Sequence, residues 1–205
     1  MKQRVIEKAV SGAVLAAFFI LAANAPAMAK GPKLLHTESV YQATFTGISF
    51  GPAGPNCDAS GGGPACLFLD ATANVVGQHD AFGKFKGSVT ATLNLNPAYF
   101  IPSGAHDAAG NPTGVCTPEF GTETDTFADG STLSSNFQGL GCCAGPDCGG
   151  TTGPPSVNHD SSVITDGTGR LSGATGGWSW SDSGTGGPLL VHAEGVLQLP
   201  HDSSH

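Results

Sequence analysis

Basic residues are scarce in this 205-residue chain, in which 8 Lys and Arg stand against 16 Asp and Glu. Residues 30–205 hold only 5 of the basic residues and 15 of the acidic ones, giving a net charge of −10. The chain has no basic stripe, which argues against binding to nucleic acid or to an anionic membrane. The acids stand singly rather than in runs, so we expect them at solvated turn and surface positions.

Long apolar runs are also lacking. The main one, residues 13–23, is shorter than the roughly 20 residues that a membrane-spanning helix needs, and it follows a basic start. Ala27, Met28 and Ala29 then supply the small-x-small pattern that signal peptidase recognises before Lys30. We therefore expect a signal peptide cleaved between Ala29 and Lys30, and export to the periplasm or out of the cell.

Aromatic residues make up only 7% of the chain, whereas outer-membrane barrels need aromatic girdles. No later segment resembles a membrane-spanning helix, and no cysteine follows the expected cleavage site to carry a lipid. We therefore expect no membrane span after signal cleavage and no nucleic-acid partner. The oligomeric state stays open.

Helical spacing is rare, and the 31 glycines disfavour helices. Apolar and polar residues alternate instead, as they do in half-buried strands. In the clearest case Phe85, Val89 and Ala91 share one face while Lys84 and Lys86 lie on the other. Eight strands of an all-β protein are predicted, near residues 41–45, 67–75, 84–95, 116–127, 133–139, 158–165, 176–181 and 189–199.

The connections between these strands alternate between short and long. If consecutive strands pair as an antiparallel meander, the three long connections fall at one end of the sheet, which we call the crown: residues 51–65, 96–115 and 140–157. Eight such strands can close into an up-and-down β-barrel, with a β-sandwich as the alternative. The expected organisation is a signal peptide at 1–29, a linker at 30–37, one β-barrel domain at 38–200 and a polar tail at 201–205.

The segment ITDGTGRLSGATG, residues 164–176, resembles the GGTGRFxGAxG signature of the allene oxide cyclase and dirigent barrel families and of related bacterial secreted proteins. Weaker likenesses to the bacterial proteins are GQHDAFGKF at 77–85 and DGSTL at 129–133. The resemblance implies a small eight-stranded barrel with an apolar lumen. It carries no catalytic residue over to this chain.

Three glycines of that segment, Gly167, Gly169 and Gly173, are expected to have a structural role in a turn and at a barrel corner. The alternative is a dinucleotide-binding loop, which requires a helix directly afterwards. The sequence that follows, GGWSWS at 176–181, has a strand pattern instead.

An even number of cysteines in an exported protein favours disulfides, with the connectivity open. All six lie in or beside the crown loops, where cross-links between loops are reasonable: Cys57, Cys66, Cys116, Cys142, Cys143 and Cys148. The neighbours Cys142 and Cys143 are expected to bond different partners. The alternative is a metal or redox site with nearby histidines, which the irregular spacing disfavours.

Four aromatic residues on apolar faces are candidates to line a ligand site in the lumen: Tyr41, Phe45, Trp178 and Trp180. The alternative is that they only fill the core. His192 and Glu194 share one face of the last strand and could act as a base and its partner, but that face is as readily outside the barrel.

The favoured function is an exported, non-catalytic barrel that binds a small apolar molecule or a protein partner through its lumen or its disulfide-linked crown loops. No catalytic residue, cofactor or metal is expected. An isomerase- or cyclase-type enzyme that uses the lumen, and a purely structural surface protein, are the alternatives. A packed lumen would count against both the ligand and the enzyme.

Overall fold

The computed structural model of the chain describes residues 31–51, 56–60, 63, 65–104, 108–110, 114–143, 156–184 and 188–200. The expected signal peptide, its cleavage site at Ala29 and Lys30, and the tail at 201–205 lie outside the described residues. So do the side chain of Cys143 and the whole of Cys148. Among the described residues no helix has the length and hydrophobicity to cross a membrane.

Eight long antiparallel strands close into a barrel, which confirms the predicted fold class. Neighbouring strands pair in chain order, and the ring closes where β1 pairs with β9 and β3 pairs with β5. The short β4 lies outside the ring against the start of β5. The strands are β1 Lys33–Gly51, β2 Phe68–His79, β3 Gly83–Asn94, β4 Ile101–Pro102, β5 Val115–Phe127, β6 Thr132–Cys143, β7 Ser156–Gly167, β8 Thr175–Gly184 and β9 Leu189–Leu199.

Alternation of side chains decides which face of most strands lies inside. On β3, Phe85 and Ala91 are buried while Lys84, Lys86 and Thr90 are exposed, as predicted. On β9 every second residue is buried from Leu189 to Leu199, except at Gly195. Because the side-chain period of a strand is two, burying one apolar set fixes the register of each strand in the barrel.

The first strand is longer than predicted. Its pairing with β9 starts at Lys33, opposite Leu199, so residues 33–37 belong to the barrel and not to the expected linker at 30–37. Thr37 is buried there, although the sequence around it is polar. The pairing with β9 ends at Ala43, while β1 continues to Gly51 against β2 with a bulge after Phe45.

The end opposite the crown, which we call the lower end, holds the short connections 80–82, 128–131 and 168–174. In the last of these, Gly169 and Gly173 have φ values of 59° and 72°, a backbone conformation that favours glycine. Gly167 has no positive φ, but a Cβ there would lie 2.2 Å from the carbonyl oxygen of Leu171. A single 3-10 turn, Gly169–Leu171, leads directly into β8, so no α-helix follows the glycines.

Two disulfides stabilise the crown end, Cys57–Cys66 and Cys116–Cys142. The first lies within one crown loop. The second joins directly opposed residues of β5 and β6. Cys116 adjoins the crown loop 96–115 and Cys142 lies at the start of the crown loop 140–157, and the strand pairing itself brings the two residues together. Cys142 therefore bonds a partner other than its neighbour Cys143, as expected.

Replacing Cys116 and Cys142 together by Ser should lower the free energy of unfolding by about 2–4 kcal/mol. The same change at Cys57 and Cys66 should lower the free energy of unfolding by about 1 kcal/mol less, because that bridge spans 9 residues of chain rather than 26. Urea unfolding of the two double variants measures both effects. A larger loss for the Cys57–Cys66 bridge would contradict this chain-entropy argument.

Candidate functional site

The inside of the barrel contains five acidic side chains among its apolar core, which corrects the expectation of solvated acids for these five, whereas the other seven acids of the described residues are exposed as expected. Glu119, Glu123 and Asp125 come from β5, Asp160 from β7 and Asp182 from β8. Four of them are between 5% and 8% exposed, and Asp125 is half-buried. The lysines of the described strands all face solvent, so the lumen collects negative charge without a buried lysine to balance it.

On β5 acidic side chains occupy inward positions that apolar side chains occupy on most other strands. Its inward positions run Glu119, Gly121, Glu123, Asp125 and Phe127, and its outward positions are mostly threonine. The outward face keeps its β propensity through these β-branched threonines, so the strand forms despite its acidic inner face. The signal in the sequence was the two-residue spacing of the acids in phase with Phe127, which is 3% exposed.

Glycines on neighbouring strands make room for three of the carboxyl groups. A Cβ added at Gly87 would lie 2.3 Å from Asp125 Oδ1, and one added at Gly139 would lie 2.1 Å from Asp160 Oδ1. At Gly141 the added Cβ would be 3.0 Å from Glu119 Oε2. The acids therefore occupy niches that depend on the missing side chains, because interiors are close-packed.

Glu123 and Asp125 form a carboxyl pair at mid-height in the lumen. The Tyr41 hydroxyl donates to Glu123 Oε2 at 3.3 Å, while Glu123 Oε1 and Asp125 Oδ1 receive no hydrogen bond from another residue, and the two carboxyl groups bond each other when the pair holds a proton. Burial raises the pKa of Glu123 well above its usual range, and the nearby Asp125 carboxylate raises it further. Burial also raises the pKa of Asp125 to about 7. A proton shared between two close carboxyls relieves their repulsion.

Glu119, Asp160 and Asp182 form a second acidic group nearer the crown. Burial raises the pKa of Glu119 to about 8, with further increases from the charges of Asp160 and Asp182. Burial also raises the pKa of Asp160 to about 6, although Trp180 Nε1 donates to its Oδ2 at 2.8 Å. Asn158 binds Asp182 through its side-chain amide at 3.1 Å. Glu119 Oε2 and Asp160 Oδ1 have no donor.

A cavity of about 20 Å³ lies beside the Glu123–Asp125 pair. That volume accommodates a group the size of a water molecule, whereas pockets for drug-sized ligands measure roughly 300–1,000 Å³. The lumen is therefore mostly packed, which counts against an apolar or drug-sized ligand and leaves space only for a small group beside the carboxyl pair. The cavity is lined by Ser39, Tyr41, His79, Phe85, Glu123, Asp125, Phe127, Leu133, Ser135, Trp178, Trp180 and Ala193.

Arg170 closes the lower end of the barrel by joining its three connections. Its Nε lies 2.9 Å from Asp129 Oδ2, and its Nη2 donates to the Phe82 carbonyl oxygen at 2.9 Å. The guanidinium also stacks over the rings of Phe82 and Phe127, at 5.2 and 5.7 Å. Arg170 belongs to the glycine-rich segment of the sequence but was not singled out there, because its partners lie 41 and 88 residues away along the chain.

Three of the four aromatic candidates line the cavity, namely Tyr41, Trp178 and Trp180. Phe45 does not: it lies beyond the last pair of β1 and β9 and is 45% exposed. The bond from Trp178 Nε1 to Thr37 Oγ1, at 3.1 Å, fixes the first indole. Whether these residues contact a ligand stays a prediction.

His192 and Glu194 face outward on β9, which is one of the two placements that the sequence left open. His192 Nε2 lies 2.7 Å from Glu38 Oε1 on β1, so its partner is Glu38 and not Glu194. Both residues border a shallow polar groove of about 590 Å³ on the outer surface of β6 to β9. In the described part of the chain, no three His, Cys, Asp or Glu side chains are grouped as metal ligands.

No protein-family model matches the chain, and no curated protein matches it. Among solved structures it is similar to the pterocarpan synthase dirigent protein GePTS1, with 14% sequence identity. The match covers 85% of this chain and 94% of that one, with a TM-score of 0.38. At this TM-score the likeness indicates nothing about function, which is therefore inferred from the residues of the barrel.

Proposed function

We propose that the chain is an exported, non-catalytic barrel that binds a small polar molecule in its lumen beside Glu123 and Asp125. The observation that carries this proposal is the pair of buried carboxyl oxygens, Glu123 Oε1 and Asp125 Oδ1, that lack a donor next to a cavity. Buried polar atoms are almost always hydrogen-bonded, and the described residues offer these two oxygens only the proton shared within the pair, so a donor from a ligand is needed once the pair ionises. The two carboxyl oxygens that face the cavity favour a polar ligand over the apolar ligand that the sequence suggested.

Closure of the lower end supports entry of the ligand from the crown. The Arg170 contacts and the fully buried Leu171 fill the lower end. Export is supported by the two disulfides, which persist in oxidising compartments. A protein partner that binds the crown loops is compatible with this proposal as a second ligand, in addition to the small molecule in the lumen.

A second candidate function is acid catalysis of an isomerisation or cyclisation in the same lumen. It is favoured by the raised pKa of Glu123, which keeps this carboxyl protonated near neutral pH beside the Tyr41 hydroxyl. In that case Glu123 donates a proton to the substrate and recovers it from the product. Recovery of a ligand whose structure is changed after incubation with the protein would favour the enzyme.

Native mass spectrometry of protein purified from its own host tests the binding function. We expect an additional small mass on the wild-type barrel, and its loss in Ser135→Leu, because Ser135 lines the cavity and is 5% exposed. The matched control is Ser88→Leu, the same change at an exposed position of β3, which should retain the mass.

Circular dichroism must show that Ser135→Leu is folded, since overpacking costs about 1–3 kcal/mol. A wild-type barrel that carries no additional mass, or a folded Ser135→Leu that keeps it, would reject the lumen site. The first of these results would favour the structural surface protein instead.

A further inference from the structure

We infer that the ligand of the mid-lumen site is a small organic cation whose primary ammonium group lies between Glu123 and Asp125. This inference rests on the proposed function and adds the chemical class of the ligand. It follows from three observations: the charge of the lumen, the size and lining of the cavity, and the unpaired carboxyl oxygens.

The charge of the lumen selects for a cation. Four buried carboxyl groups and the half-buried Asp125 face inward, and Arg170 is already paired with Asp129 at the lower end. Buried charges in proteins are normally paired, so an ionised carboxyl pair here calls for a positive partner. An anionic ligand would add to the repulsion that already exists among the acids.

The cavity suits an ammonium group in size and in lining. About 20 Å³ accommodates a group the size of a water molecule, which an –NH₃⁺ group resembles. Its three N–H donors match Glu123 Oε1 and Asp125 Oδ1, the buried acceptors that lack a donor. The rings of Phe85, Phe127 and Trp178 form part of the remaining wall, and aromatic rings attract cations.

Binding of a cation should displace the proton that the carboxyl pair holds. The titratable groups around the pair are Tyr41 from β1, His79 from β2 and Asp182 from β8, with Arg170 below. Burial lowers the pKa of His79, so this histidine is neutral near pH 7 and does not compete as a cation. The strands β3, β6 and β9 contribute neutral residues to the cavity.

Isothermal titration calorimetry with methylammonium chloride, at constant ionic strength, tests the inference. The protein is first unfolded and refolded with its disulfides intact, to remove any ligand from its host. We expect saturable binding at least tenfold tighter at pH 8 than at pH 5, because protons compete for the pair. Titration in two buffers of different ionisation enthalpy should show release of about one proton.

Glu123→Gln should weaken methylammonium binding at least tenfold. Its matched control is Glu194→Gln, which removes the same charge from the outward face of β9 and should leave binding unchanged. Thermal unfolding of Glu123→Gln establishes that this variant is folded. Tetramethylammonium should not bind, because the cavity is too small for it.

Several outcomes would overturn the assignment of an ammonium ligand. These are no saturable binding to the folded wild-type barrel, equal effects of the two Gln variants, binding of tetramethylammonium, or equal binding of K⁺ in place of methylammonium. If native mass spectrometry still shows a retained molecule that Ser135→Leu loses, the ammonium class is wrong while the lumen-binding function stands.

Discussion

Raising the pH from 5 to 8.5 is expected to lower the melting temperature of the protein by roughly 10 °C. Glu119 shows the reason most clearly, because burial raises its pKa from 4.5 to about 8. Each unit of pKa difference between the folded and unfolded chain is worth about 1.4 kcal/mol, so ionising Glu119 in the barrel costs on the order of 4 kcal/mol. In a domain of this size 1 kcal/mol corresponds to about 2–4 °C.

The direction follows from proton binding. Folded Glu119 holds its proton more tightly than unfolded Glu119, so stability is greatest below the unfolded pKa near 4.5 and falls until the folded pKa near 8 is passed. Asp125 and Asp160, with pKa values raised by burial to about 7 and about 6, act in the same sense. His79 acts in the opposite sense, because its lowered pKa favours folding as the pH rises.

Differential scanning calorimetry across this pH range measures the effect. Glu119→Gln should raise the melting temperature at pH 8.5 and leave it almost unchanged at pH 5, because the amide cannot ionise. Glu194→Gln, on the exposed face of β9, is the control and should change neither value. A melting temperature that rises from pH 5 to pH 8.5 would mean that the lumen acids are not held protonated.

Trp180→Ala is expected to destabilise the barrel by about 3–5 kcal/mol, which corresponds to a fall in melting temperature of roughly 10 °C. The indole is 9% exposed, and its ring centroid lies 4.9 Å from that of Phe137, so its removal leaves a cavity in the core. It also deprives Asp160 Oδ2 of its donor. A buried acceptor left without a partner accounts for about 1–3 kcal/mol of this total.

Thermal unfolding of three variants separates these two contributions. Trp180→Phe keeps a ring and loses the N–H, so its loss of stability should be about 1–3 kcal/mol and should grow as Asp160 ionises. Tyr99→Ala removes an aromatic ring that is 54% exposed and should have little effect. Equal melting temperatures for Trp180→Ala and Tyr99→Ala would show that Trp180 does not support the core.

The closed barrel and its eight strands could be predicted because alternation is a local property. Phe85 and Ala91 on β3, and Val191 and Leu197 on β9, occupy the buried face that their spacing indicates. The alternating short and long connections likewise followed from the positions of glycine, proline and aspartate. The start of β1 could not be predicted, because residues 33–37 contain polar side chains that pairing with β9 nevertheless orders.

The acidic lumen could not be predicted by the rule that acids are solvated, because that rule treats each residue alone. Glu123 is buried by the closure of the whole ring, and Asp160 has space only because Gly139 lies on the next strand. The bond from Tyr41 to Glu123 joins residues 82 positions apart. Such arrangements depend on register between distant strands, which single-strand patterns do not contain.

Pairing of β1 with β9 also bears on how the chain folds. The pair Lys33 and Leu199 joins opposite ends of the domain, and the ring has no other way to close. Contacts so distant in sequence make barrel formation slow, because the chain loses the entropy of closing a long loop before the stabilising contacts form. Until β9 is available, β1 exposes an unpaired edge that can join another chain. A chain that folds outside the cell would therefore depend on complete export before it is protected from aggregation.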